Sequence, residues 1–131
     1  MGLLAEMFPP ASKFNTQDVS DLTGKVMIVT GRSFVVASNA RWRTFTDSKY
    51  PGGSSGIGKE TVRALLEHNA KVYIATRNAD KAKLVIEELK NEVGKEAQFL
   101  QLDLSSLKDT RRAAEEFLRK EKELHVLYNN A

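Results

Sequence analysis

Residues 30–58 read TGRSFVVASNARWRTFTDSKYPGGSSGIG, and the stretch holds two glycine turns where a strand-to-helix connection ordinarily has one. Its first residues end the apolar run KVMIVT (25–30), which is short, nearly unbroken and rich in β-branched residues, as expected of a strand buried on both faces. Its last residues open GIGKETVRALLEHNA (56–70), where Val62, Leu65 and Leu66 fall on one helical face. With residues 32–52 set aside, the flanks close to VTGGSSGIGKE, a single tight glycine turn from strand to helix. Such a turn suits a pyrophosphate. A glycine at the strand end, Gly31 or Gly53, permits the turn, and Gly56 lets the backbone approach the phosphates. Gly58 lets helix and strand pack closely, and the free amides of the helix start face the anion. The plainer reading of PGGSSG is a flexible linker.

Outward from this turn the chain alternates. KVYIAT (71–76) is a second expected strand, and ADKAKLVIEELKNEVG (79–94) a helix with Ala82, Val85, Ile86, Leu89 and Val93 on one stripe. Asn78 is placed to cap that helix and Gly94 to stop it. AQFLQLDL (97–104) is a third strand, SSLKDTRRAAEEFLRKEKE (105–123) a third helix with Ser106 and Asp109 in capping-box spacing, and LHVLYN (124–129) a fourth strand. Alternation with short connections implies parallel strands, right-handed crossovers and an α/β doubly wound sheet with helices on both faces. Ligands of such sheets bind beyond the carboxyl ends of the strands, where the first glycine turn stands. Residues 1–24, with Pro9, Pro10 and no periodicity, read as an extended N-terminal arm before a domain spanning 25–131.

The chain has 131 residues and a 41% hydrophobic share, enough for one core. Its net charge of +3 comes from lysines and arginines dispersed among glutamates, which reads as a solvated face and argues against a nucleic-acid partner. Cysteine is absent, so there is no disulfide, thiolate metal site or cysteine nucleophile, and His68 and His125 stand far apart. MGLLAEMFPP (1–10) is too short and too acidic for a signal peptide, and no stretch has the length of a membrane span; the expected location is cytoplasmic.

Thr30-Gly31, Gly53-Ser54-Ser55-Gly56-Ile57-Gly58, Asp103-Leu104 and Asn129-Asn130-Ala131, in this order, resemble the signatures of the short-chain dehydrogenase/reductase family. The lead-in DLTGKVMIVTG and the helix start GKETVRALL are similar to its retinol-dehydrogenase-like members. The resemblance implies a partial Rossmann fold of about four strands, incomplete on its C-terminal side. It also implies a nicotinamide dinucleotide at Gly31, Gly53, Ser54, Ser55, Gly56, Ile57 and Gly58, with Asp103 and Leu104 bordering the adenine and Asn130 and Ala131 lining the cofactor. Arg77, just past the second strand, stands where the family chooses its cofactor. An acid there would hold the ribose hydroxyl of NAD, whereas arginine pairs with the 2′-phosphate of NADP, so NADP is expected and NAD less so.

Two departures accompany the resemblance. Residues 32–52 are basic, aromatic and unlike their flanks, and they begin and end between residues that join cleanly without them, as an in-frame translated intron would leave. Lengthening a connection from roughly six to roughly twenty-seven residues costs only about 1.3 kcal/mol of closure entropy, so the fold tolerates such an insertion better than a phosphate nest does. Trp42 among Arg41, Arg43 and Phe45 also has the composition of a nucleotide-stacking loop. Secondly, the family's catalytic Ser and Tyr-x-x-x-Lys have no match here, because Tyr50, Tyr73 and Tyr128 have no Lys four places on. The expectation is the cofactor-binding half of an NADP-dependent oxidoreductase, without catalytic residues. The alternatives are a noncatalytic dinucleotide- or partner-binding module and an ATP-type phosphate loop from Gly53 to Lys59. The latter is weakened by Glu60 in place of a magnesium-binding hydroxyl. Self-association through the exposed edge of the fourth strand is a further expectation.

Overall fold

The computed structural model describes residues 15–31 and 57–130. After a 3-10 turn at Thr16–Asp18 come β1 (Val26–Thr30), α1 (Ile57–Glu67), β2 (Lys71–Thr76), α2 (Ala79–Val93), β3 (Gln98–Gln101), α3 (Leu107–Lys120) and β4 (Val126–Asn129). The strands form one parallel sheet in the order β3-β2-β1-β4. Val26 pairs with Lys71, Met27 with both Val72 and Val126, and Tyr73 with Gln98. The doubly wound α/β arrangement expected from the alternation is the one observed.

The unbroken apolar character of β1 follows from its central place, since successive side chains point to opposite faces and both faces are covered. Met27, Val29, Val72 and Ile74 pack with Val62, Leu65 and Leu66 of α1 and with Val85 and Leu89 of α2. Val26, Ile28, Tyr73, Ala75 and Leu100 face the other way, onto Ala113 and Phe117 of α3. Each fully buried Val or Leu, such as Val62, Leu66 and Leu89, contributes about 1.5–3 kcal/mol relative to exposure. Of the expected stripe on α2, Ala82, Val85 and Leu89 are buried, while Ile86 and Val93 are partly covered at its border.

Local chemistry sets the element ends. Asn78 accepts a hydrogen bond from the Lys81 amide at 2.9 Å and caps α2, and Gly94 ends that helix in the left-handed region at φ 74°. Ser106 caps α3 by accepting from the Asp109 amide at 3.2 Å. The third strand is shorter than the span 97–104 expected for it. Its ladder ends with β2: the Leu102 amide still donates to the Thr76 carbonyl at 3.1 Å, and Asp103 then turns the chain. Ahead of β1, the Leu22 amide donates to the His68 carbonyl at 2.7 Å and Asn69 Nδ2 to Asp21 at 2.8 Å. These bonds tie residues 21 and 22 to the turn between α1 and β2.

Candidate functional site

The carboxyl ends of β1, β2 and β3 open on one side of the sheet into a cleft of about 560 Å³. Gly31 lines it from the end of β1. Ala75, Thr76, Arg77 and Asn78 come from the end of β2, Lys81 from the first turn of α2, and Leu102, Asp103, Leu104 and Ser105 from beyond β3. Gly31 is buried, and its amide donates to the Ala75 carbonyl at 3.3 Å, which extends the β1–β2 seam one residue past the strand.

Asp103 is locked in a tight local turn. Its Oδ1 accepts from the Ser105 hydroxyl at 2.6 Å and from the Ser105 amide at 2.9 Å. These bonds, with a smaller contribution from the positive charge of Arg77, hold its carboxyl below the usual aspartate range, so it is ionised at neutral pH. Arg77 and Leu104 are exposed, the latter at 54%. The cleft is thus lined by the cationic Arg77 and Lys81 and by an ionised, locally fixed carboxylate at Asp103.

On the other flank of β1, Thr30 is a buried polar residue whose hydroxyl donates to the Tyr128 carbonyl at 3.2 Å and accepts from the Asn130 amide at 3.2 Å. This fixes Asn130 beside the end of β1. Ile57 and Gly58 form the first turn of α1, Ile57 exposed and Gly58 buried. Helix α1 runs antiparallel to the strands it connects, so this turn lies at the carboxyl-end side of the sheet. Gly53, Ser54, Ser55, Gly56 and Ala131 lie outside the described residues, as does the segment 32–52.

Gly31, Arg77, Asp103 and Leu104 are therefore brought into one cleft, with Asn130 and Gly58 on neighbouring elements of the same side. Lys81, Ser105 and Thr30 were not singled out for this site from the sequence. The signal that could have found Ser105 is the Asp-x-Ser spacing of a side-chain-closed turn, whereas the partners of Thr30 lie about a hundred residues away and leave no local signal. Lys59, the lysine of the phosphate-loop reading, is held by α2, with Nζ 3.0 Å from both Glu88 and Glu92. Partial burial works against its charge, but the two carboxylates outweigh it and raise its pKa above the ordinary lysine value. An ammonium bridging two helices in this way is a structural tie.

A parallel sheet in the order β3-β2-β1-β4, with its cleft past the carboxyl ends, is a Rossmann-type α/β arrangement. The short chain dehydrogenase family model matches residues 50–131, and the chain belongs to that family. A short-chain dehydrogenase/reductase of Armillaria gallica is 51% identical over 129 residues, which cover 98% of this chain and 35% of that protein. Retinol dehydrogenase 11 of Homo sapiens is 44% identical over 81 residues, covering 61% of this chain and 26% of its own length. Among solved structures, the Pseudomonas aeruginosa RhlG/NADP active-site complex is similar at a TM-score of 0.61 and 29% identity, over 85% of this chain and 34% of that one. The chain spans about a third of the length of the Armillaria gallica relative. Among the described residues, no helix is long and apolar enough to cross a membrane.

Proposed function

We propose that this chain is the cofactor-binding half of an NADP-dependent short-chain oxidoreductase, and that on its own it binds the dinucleotide without turning over substrate. The observation that carries the reading is Arg77 at the carboxyl end of β2, exposed on the rim of the cleft, with Lys81 beside it and no acid at the strand end. A guanidinium pairs with a 2′-phosphate through two parallel charge-assisted hydrogen bonds, whereas the diol of NAD favours a carboxylate. The RhlG structure, with NADP at its active site, supports the same choice.

In this reading Arg77 and Lys81 receive the phosphorylated ribose. Asp103, held rigid by Ser105, and Leu104 border the adenine. The first turn of α1 with Gly31, Gly53, Ser54, Ser55 and Gly56 receives the pyrophosphate, and Asn130 with Ala131 lines the nicotinamide side. The bound nicotinamide supplies or accepts the hydride exchanged with a carbonyl or alcohol in the whole protein. No catalytic acid or base is assigned to this chain. The segment 32–52 is proposed as an insertion in the phosphate turn, supported by the way its flanks close to VTGGSSGIGKE without it. The exposed Val126 and Leu127 of β4, an edge strand among the described residues, are proposed as a surface through which copies associate. The cytoplasmic location expected from the sequence belongs to the same proposal, and cell fractionation tests it.

The test is cofactor preference. Replacing Arg77 with Asp removes a phosphate partner and adds a repelling carboxylate, a change of about 2–4 kcal/mol against NADPH. NADPH and NADH titrations followed by nicotinamide fluorescence should show NADPH affinity falling much more than NADH affinity. An unchanged NADPH to NADH ratio removes Arg77 from the site. Failure of both dinucleotides to bind even after residues 32–52 are deleted favours the partner-binding module instead.

A further inference from the structure

We propose that His125 is a pH-sensitive clip, which fastens β4 to β1 while its imidazole is neutral and releases that seam on protonation. The site lies at the amino end of the sheet, remote from the cleft, and does not depend on the dinucleotide reading. His125 engages both backbone groups of Val26: its amide donates to the Val26 carbonyl at 2.9 Å, and its Nδ1 accepts from the Val26 amide at 3.1 Å. Val26 is only 8% exposed, so water is a poor substitute for that acceptor.

An acceptor at Nδ1 places the proton of the neutral ring on Nε2, which lies 3.5 Å from Glu123 Oε2. Protonation puts a hydrogen on Nδ1 as well, and the ring then confronts the Val26 amide donor to donor. The buried amide is left unsatisfied. β4 has little with which to absorb the loss. It spans four residues, pairs with β1, and leaves Val126 and Leu127 exposed.

Several charged groups surround the ring. Glu123, exposed at the surface, lies 3.5 Å from Nε2, Lys120 and Lys122 share the same surface hollow, and Lys25 precedes Val26 in the chain. Glu121, also in that hollow, is held by Lys71 and by the Tyr73 hydroxyl. Exposed pairs of this kind contribute little, whereas the hydrogen bond to the Val26 amide is directional and partly buried.

Asparagine separates this device from a merely structural role, because its Oδ1 occupies the position of histidine Nδ1 and accepts at every pH. Glutamine moves the carbonyl to the ε position, out of reach of Val26. Amide hydrogen exchange of the full chain, corrected for intrinsic rates, would be compared at about pH 7.5 and about pH 5, on either side of the histidine range. Protection of the Val26 and β4 amides should fall about tenfold at the lower pH in the parent chain, and by less than about twofold in His125→Asn. In His125→Gln it should be low at both. Equal pH dependence in the parent and His125→Asn chains, or undiminished protection of Val26 at the lower pH, would overturn the proposal.

Discussion

The hydroxyl of Thr30 bridges Tyr128 and Asn130, donating to the carbonyl of one and accepting from the amide of the other, at 3.2 Å each. One buried side chain therefore closes the carboxyl end of the β1–β4 seam and sets where the chain leaves β4. Thr30→Val keeps the shape and removes both bonds, leaving polar backbone groups at a partly buried seam. A loss of about 1–2 kcal/mol is expected by urea denaturation, with Thr30→Ser recovering most of it.

Midway along β2, where it pairs with Ile28, Tyr73 packs edge-on against Phe117 with ring centroids 5.2 Å apart and donates to Glu121 Oε1 at 2.6 Å. Burial first, and the Glu121 carboxylate second, push its phenol far above the ordinary tyrosine range. A group whose pKa is raised by folding contributes stability that is complete below its unfolded value, near 10, and is lost as pH rises beyond it. Ultraviolet titration should therefore find one of the three tyrosines ionising only as the chain unfolds. Tyr73→Phe should remove part of the alkaline loss of stability. Ionisation of all three near pH 10 in the folded chain would contradict this assignment.

The same carboxylate has the opposite linkage. Lys71 first, and the Tyr73 hydroxyl second, depress the Glu121 carboxyl below its usual value. Its contribution is then present above the ordinary glutamate range and is lost as pH falls through the lowered pKa. Glu121→Gln should flatten the acid limb of stability against pH while leaving the neutral range little changed in shape. An acid limb as steep as the parent's would show that other carboxylates control it.

Much of this fold was legible because strand and helix periods alternate without ambiguity. The two-sided burial of β1 was written in KVMIVT, and the ends of α2 in Asn78 and Gly94, since capping and left-handed turns are local chemistry. The end of β3 was not legible, because the partner strand sets it: β2 finishes at Thr76, and the apolar Leu102 and Leu104 give no sign of that. Arg77, Asp103 and Leu104 could be named for the site only through the family resemblance, and the doubly wound sheet then brings them to one side because its strand ends lie together. Thr30 and His125 were missed as anchors because their partners lie about a hundred residues away in sequence. Such pairings appear only with the register of β4 against β1.

Gly94 offers a clean test of a local rule. Its φ of 74° suits glycine, and a β-carbon built there meets nothing within 4 Å, so any cost of Gly94→Ala comes from the backbone alone. A destabilisation of about 1 kcal/mol is expected by chemical denaturation. A neutral result would mean that the end of α2 relaxes out of the left-handed conformation at no cost.

The insertion proposed at 32–52 gives the strongest test of the site. β1 ends at Thr30 and α1 begins at Ile57, so deleting 32–52 joins Gly31 directly to Gly53-Ser54-Ser55-Gly56 and brings the connection to a length usual for strand-to-helix turns. A short glycine turn holds the helix amides and the strand end at fixed separation, which is what an anion bound between them requires. Closure entropy alone favours the shorter connection by about 1.3 kcal/mol, so the fold should gain modestly in stability. Dinucleotide affinity should gain more, by about tenfold or greater, because several charge-assisted bonds to the pyrophosphate form together. NADPH titrations of the parent and shortened chains, followed by fluorescence, measure the difference. Equal affinities would mean that the phosphate turn assembles with residues 32–52 in place, and would overturn this account of the turn.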